Sequence, residues 1–221
     1  MRITVIIVAV LLLTRCVSFE TYVDNSADTY DVIPITVEDG FWFFKNRTIS
    51  ILNYTLTQKK QASYETESAL YRKQKGGVYT FRGNAEPEYA VEIIGEATGL
   101  KLTSSVIYTD RRYMRFQKKG GLQYEVTIPL MRNAELTIYY ESIGNVVFRN
   151  YRSKNKNDLN SGWEFDAGFT VLLNGDEYGI IAYYRQPAVY LRKGWNTTAY
   201  ADILMMFMLA VYENYELAKQ W

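Results

Sequence analysis

The sequence predicts a β-dominated domain wrapped around a buried helix, and three observations lead there. Aromatic residues are dense, with 20 Tyr and 10 Phe against only 4 Pro, which suits half-buried strands where a ring covers the core and its hydroxyl stays wet. From Val78 onward, runs of alternating apolar and polar residues recur between turn dipeptides, the pattern of an antiparallel meander. Near the C-terminus, Ala199 to Tyr212 is apolar on every side, too short for a membrane span and interrupted by Asp202, so it is a helix for the inside of a protein. So many sequential strands invite edge-to-edge aggregation unless they close on themselves. The expected class is mainly β (α+β), a closed antiparallel β-barrel of about ten to twelve strands around a buried hydrophobic C-terminal helix.

The elements follow in chain order. Met1-Arg2, the apolar run Ile3 to Leu13 and the polar exit Thr14 to Glu20 have the form of a signal peptide, since a membrane span needs roughly 20 apolar residues. Leu12-Leu13-Thr14-Arg15-Cys16 resembles the lipobox of bacterial lipoproteins, which implies cleavage before Cys16 and a lipid on that residue; Arg15 stands where a small residue is usual. The other cut is after Cys16-Val17-Ser18, as in ordinary secretory signals. Residues 1–18 are therefore expected to be removed or lipidated, 19–30 to form a polar tether, and 31–221 to fold as one domain with a helix over 197–215. Asn46-Arg47-Thr48, Asn53-Tyr54-Thr55 and Asn196-Thr197-Thr198 match the glycosylation acceptor pattern, at a frequency that chance supplies.

Asp31 to Val37, Phe41 to Lys45 and Thr48 to Thr57 read as short strands. Gln58 to Gly77 is charged and poor in β-branched residues, and reads as a surface helix or loop that Gly76-Gly77 ends. The meander then gives strands at Val78 to Arg82, Tyr89 to Ile94, Leu100 to Thr109, Arg112 to Gln117, Leu122 to Ile128, Glu135 to Tyr140, Val146 to Tyr151, Trp163 to Leu173, Tyr178 to Tyr184 and Ala188 to Arg192. Asn174-Gly175 predicts a two-residue hairpin turn, and Gly120-Gly121 a similar bend. Asn196 or Thr197 is placed to cap the helix, with Asp202 at the favourable end of its dipole. Its core-forming residues are Ile203, Leu204, Met205, Phe207, Met208 and Leu209.

The order Tyr178-Gly179-Ile180-Ile181, then Tyr190-Leu191, then Asp202 leading into Ile203 to Ala210, preceded by Trp163-Glu164-Phe165 and Phe169-Thr170-Val171, resembles the ending of a known superfamily. It joins the tubby C-terminal domain, the phospholipid scramblases and the LURP-one-like proteins. The resemblance covers about residues 78–216 and implies a closed barrel threaded by a hydrophobic helix. The chain departs from that superfamily in having no cluster of palmitoylatable cysteines, no acidic calcium loop beside the helix and no basic phosphoinositide groove. Its lipid activities therefore do not carry over.

Composition narrows the chemistry. The chain has no His and a single Cys, Cys16, which excludes Ser-His-Asp, Cys-His and His-zinc sites and any internal disulfide. Lys and Arg total 25 against 24 Asp and Glu, so nucleic acid is not an expected partner. No phosphate loop, metal spacing or nucleophile elbow occurs, and no cofactor is expected. Glu164 and Asp166, two apart on a strand, share a face as a carboxylate pair could, and as a solvated barrel face does. Arg111, Arg112, Arg115, Lys118 and Lys119 cluster about one hairpin and could meet anionic headgroups or an acidic partner. Two function classes stand: a non-enzymatic binding or structural module tethered outside a membrane through an N-terminal lipid, with an unknown protein or lipid partner, or a lipocalin-like carrier of an apolar small molecule or lipid. The carrier needs empty interior volume, which a buried helix would fill.

Overall fold

The computed structural model describes residues 21, 23, 26–39, 46–67, 70–84, 88–102, 105–118, 121, 123–128, 135–154, 164–183, 186–197 and 200–219. Cys16, the expected signal peptide and the expected strand Phe41 to Lys45 lie outside them. Within the segment expected as a tether, Val23 is buried and Ser26–Thr29 forms one helical turn.

Thirteen strands are present among the described residues: β1 (Tyr30–Pro34), β2 (Thr36–Glu38), β3 (Thr48–Ile51), β4 (Tyr54–Glu67), β5 (Leu70–Arg82), β6 (Tyr89–Leu102), β7 (Ser105–Lys118), β8 (Gln123–Ile128), β9 (Leu136–Tyr140), β10 (Gly144–Lys154), β11 (Glu164–Leu173), β12 (Asp176–Ala182) and β13 (Ala188–Arg192). Every pairing is antiparallel. The C-terminal helix, Ala201–Ala218, follows a short 3-10 turn at Trp195–Thr197.

The fold is mainly β, and the expected single closed barrel is corrected to two separate sheets. The first has the order β1-β13-β12-β11-β10-β9 and the second β2-β3-β4-β5-β6-β7-β8. One seam is crossed by the chain itself, because only Ile35 separates β1 from β2, and its N–H donates to the Pro187 carbonyl at 2.8 Å. At the other seam no ladder joins the described residues of β8 and β9, and side chains meet instead, with the rings of Tyr124 and Tyr140 5.0 Å apart. Packing between layers thus does here what hydrogen bonds would do in a closed sheet.

That packing centres on the helix. Leu204 to Tyr212 are each at most 3% exposed, and they join one apolar cluster with inward residues of both sheets, among them Leu56, Tyr79, Phe116, Ile138, Phe148 and Val189. Phe207 meets Phe116 of the second sheet at 4.9 Å and Tyr140 of the first at 5.9 Å, edge to face in both cases. Of the six helix residues named from the sequence, Leu204, Met205, Phe207, Met208 and Leu209 are fully buried and Ile203 is partly buried against the cluster.

Three local expectations are corrected. Gln58 to Gly77 is neither helix nor loop, since it supplies most of β4 and β5, paired from Glu67↔Tyr71 to Thr55↔Arg82. Opposite charges there face each other across the ladder, as at Glu65↔Lys73, and such pairs stabilise a ribbon lacking β-branched residues. Gly76 does not stop the element; at φ 140° it lies so near β6 that a Cβ would fall 1.9 Å from the Ile93 carbonyl oxygen. Next, the breaks expected after Ile94 and Thr109 do not exist, because β6 and β7 run unbroken and pair along their whole length. Finally, Asn196 and Thr197 sit in the 3-10 turn, and the helix starts after Tyr200 with no side-chain cap. Asp202 is in the first turn as expected. The Asn174-Gly175 turn also forms as expected, with φ of 52° and 95° joining β11 to β12.

Candidate functional site

Polar groups gather at both ends of the helix. In its first turn, Asp202 accepts a hydrogen bond from the Tyr54 hydroxyl, which also receives Asn84 Nδ2 at 2.8 Å. Burial, followed by that carboxylate, pushes the Tyr54 phenol up to about 12, so it stays a neutral donor. Near the other end, Glu213 is fully enclosed. Arg47, entering β3, donates Nε–H to both of its oxygens at 3.1 and 3.0 Å, and the Tyr79 hydroxyl of β5 donates at 2.7 Å. Arg47 also pairs with Asp39 through Nη1.

Burial raises the Glu213 carboxyl, against the opposing pull of Arg47 and the hydrogen bonds from Tyr79 and Arg47. The same burial, with the Glu213 charge, holds the Tyr79 phenol protonated far above its ordinary range. This is a satisfied buried ion pair tying the helix to the second sheet. Tyr215 ties the same end to the first sheet, its ring stacked on Tyr183 of the loop after β12 at 3.7 Å and 17°. Sequence reading missed Glu213, because a glutamate just past an apolar run looks like the start of a solvated tail, and its partners Tyr79 and Arg47 lie 134 and 166 residues away.

The expected basic cluster is divided by the fold. Arg111, Arg112, Arg115 and Lys118 lie along β7, the first strand of the β7–β8 hairpin, with Lys118 at the bend between them, and Lys119 is outside the described residues. Arg111 Nη2 donates to Glu125 at 2.5 Å, while Arg115 reaches Glu125 at 2.7 Å and Glu92 at 2.9 Å. Both guanidinium groups lie over the Tyr113 ring, at 5.3 and 4.5 Å. Glu125 is held below its ordinary value chiefly by its hydrogen bond from Arg115, and Arg115 is raised in turn by Glu125 and Glu92. The outer face of β6, β7 and β8 therefore carries guanidinium groups already met by carboxylates, a ladder that braces neighbouring strands.

Glu164 and Asp166 share a face of β11 as expected, opposite Lys154 and Arg152. Arg152 lies 3.9 Å from Glu164 and 3.8 Å from Asp166, and Asn150 Nδ2 donates to Asp166 at 2.9 Å. Both carboxylates are 46% exposed, so water and Arg152 solvate them together. Among the described residues no three His, Cys, Asp or Glu side chains converge as metal ligands, and no helix is long and apolar enough to cross a membrane. Compared with known protein families, with curated proteins and with solved structures, the chain matches none.

Proposed function

We propose that this chain is an exported protein, held outside a membrane by its N-terminus, that acts without catalysis as a binding or structural module. The observation that carries the reading is the filled interior. Leu204 to Glu213 occupy the space between the sheets, the volume that a carrier of an apolar small molecule would need to keep open. The signal-like start supplies the export half of the proposal, with Cys16 as the candidate lipid attachment point. We retain the tubby-like superfamily as the proposed relationship on the order of strands and terminal helix in the sequence, although the closed barrel that it implies is not formed.

Native mass spectrometry and organic extraction of protein purified from membranes test the reading. The module comes out with no apolar ligand in its core. One equivalent of extracted lipid or other apolar molecule per chain, bound between the sheets, overturns it in favour of a carrier.

A further inference from the structure

The chain holds three Asn-x-Thr acceptors, at Asn46, Asn53 and Asn196, and the pattern alone occurs at the frequency of chance. The fold adds where they lie. An oligosaccharide is bulky and has to stand in solvent, so an asparagine under the core could not carry one. Asn46 precedes β3, Asn53 lies in the two-residue turn between β3 and β4, and Asn196 lies in the 3-10 turn before the helix; all three are exposed.

Two of them share one end of the molecule, whereas Asn46 enters β3 at its other end. Asn53 precedes Tyr54 and Asn196 follows Trp195, and those two rings are buried side by side with centroids 6.4 Å apart. The Tyr54 hydroxyl also bonds Asp202 in the first turn of the helix, which sets Tyr200, the residue before that turn, at the same end. Apolar surface gathers there too. Among the described residues four large hydrophobic side chains are exposed, Val32, Leu52, Tyr139 and Tyr200. Two of the four flank these acceptors, Leu52 directly before Asn53 and Tyr200 four residues after Asn196. A hydrated oligosaccharide on each asparagine shields such side chains from other chains.

We propose that Asn53 and Asn196 carry N-linked oligosaccharides, transferred during export from a donor in which the sugar is joined to a lipid diphosphate. The side-chain amide nitrogen attacks the anomeric carbon of the first sugar. The new C–N bond replaces the C–O bond to the diphosphate, the amide gives up one proton, and the lipid diphosphate leaves. The threonine two residues on, Thr55 or Thr198, completes the acceptor that the transferase reads. The acceptor is read on the chain before it folds, so the burial of Tyr54 between Asn53 and Thr55 is no barrier; the finished fold has only to leave the asparagine in solvent. The inference rests on the export half of the proposed function and not on a lipid at Cys16.

Expression of the full chain in a eukaryotic cell line, followed by site mapping with mass spectrometry, tests it. Peptide N-glycosidase converts each glycan-bearing asparagine to aspartate, a mass change read separately at Asn53 and at Asn196. Both sites are expected to be modified on most chains. Asn53→Gln and Thr55→Ala each abolish the glycan at the first site, Thr55→Ser keeps it, and Asn196→Gln abolishes the glycan at the second. The retained modification in Thr55→Ser assigns the loss in Thr55→Ala to the missing hydroxyl. Protease protection of the same chain in intact microsomes reports export independently. A protected chain in which either asparagine is largely unmodified overturns the inference and leaves the export reading standing. An unprotected and unmodified chain overturns both.

Discussion

Arg47 Nε donates to both carboxylate oxygens of Glu213, joining the entry to β3 with the end of the C-terminal helix across 166 residues of sequence. The carboxylate is wholly buried and the Arg47 side chain is 19% exposed. Breaking such a pair from one side strands a charge, whereas replacing both members with apolar groups removes two desolvation costs together. Arg47→Ala should lower unfolding free energy by about 3 kcal/mol, the low end for buried pairs because Arg47 is partly solvated. Arg47→Met with Glu213→Leu should lose much less. Urea denaturation of the two variants checks this, and equal losses would show that the charge is not stranded.

The pH dependence of the same group has a definite sign. Burial raises the Glu213 carboxyl above its unfolded value, so its contribution to stability is fully present below the unfolded pKa and is lost as pH rises through the folded one. Comparing melting temperatures across the acid range, Glu213→Gln should remove a decline that the parent shows as pH rises. A variant whose profile runs parallel to the parent's would contradict the assignment.

Leu52 sits in the two-residue turn between β3 and β4 at φ 53° and is 58% exposed. A left-handed conformation costs a non-glycine residue roughly 1 kcal/mol or more, and glycine avoids that cost. Leu52→Gly should therefore raise the melting temperature by a few degrees, net of the greater freedom it gives the unfolded chain. A lower melting temperature would show that Leu52 makes packing contacts that outweigh its backbone strain.

The anchor is tested at Cys16. If the lipobox resemblance holds, Cys16→Ser blocks acylation and moves the protein to a soluble or unprocessed pool. Metabolic labelling with a fatty-acid analogue, read beside N-terminal sequencing, decides it; a mature chain that starts at Phe19 and carries no lipid would remove the lipoprotein assignment.

The most readable parts of the fold were those governed by local periodicity. The alternation from Leu136 to Tyr140 and from Val146 onward, the Asn174-Gly175 turn and the all-round apolar helix each declare themselves within a few residues. The ribbon of β4 and β5 did not, because Gln61, Ser63 and Glu65 are exposed along it and its charges meet across the ladder, as at Glu65 opposite Lys73, which from one strand alone looks like a solvated helix. Closure was misjudged because nothing local to β8 or β9 says whether their edges meet by a ladder or by Tyr124 and Tyr140 rings. The candidate site was half legible. The basic residues of β7 were named from the sequence, but Glu92 and Glu125, which meet Arg111 and Arg115, lie on neighbouring strands whose register no local pattern shows.

The helix, and not a closed ladder, holds the two sheets together. Burying Leu204, Met205, Phe207, Met208 and Leu209 contributes roughly 1.5–3 kcal/mol each, comparable in sum to a typical net stability of about 5–15 kcal/mol. The most direct measurement is calorimetry of the chain cut after Trp195. No cooperative melting transition is expected, and Phe207→Asp should be nearly as damaging because an unpaired charge would replace the contacts with Phe116 and Tyr140. A truncated chain that melts cooperatively near the parent temperature would contradict it.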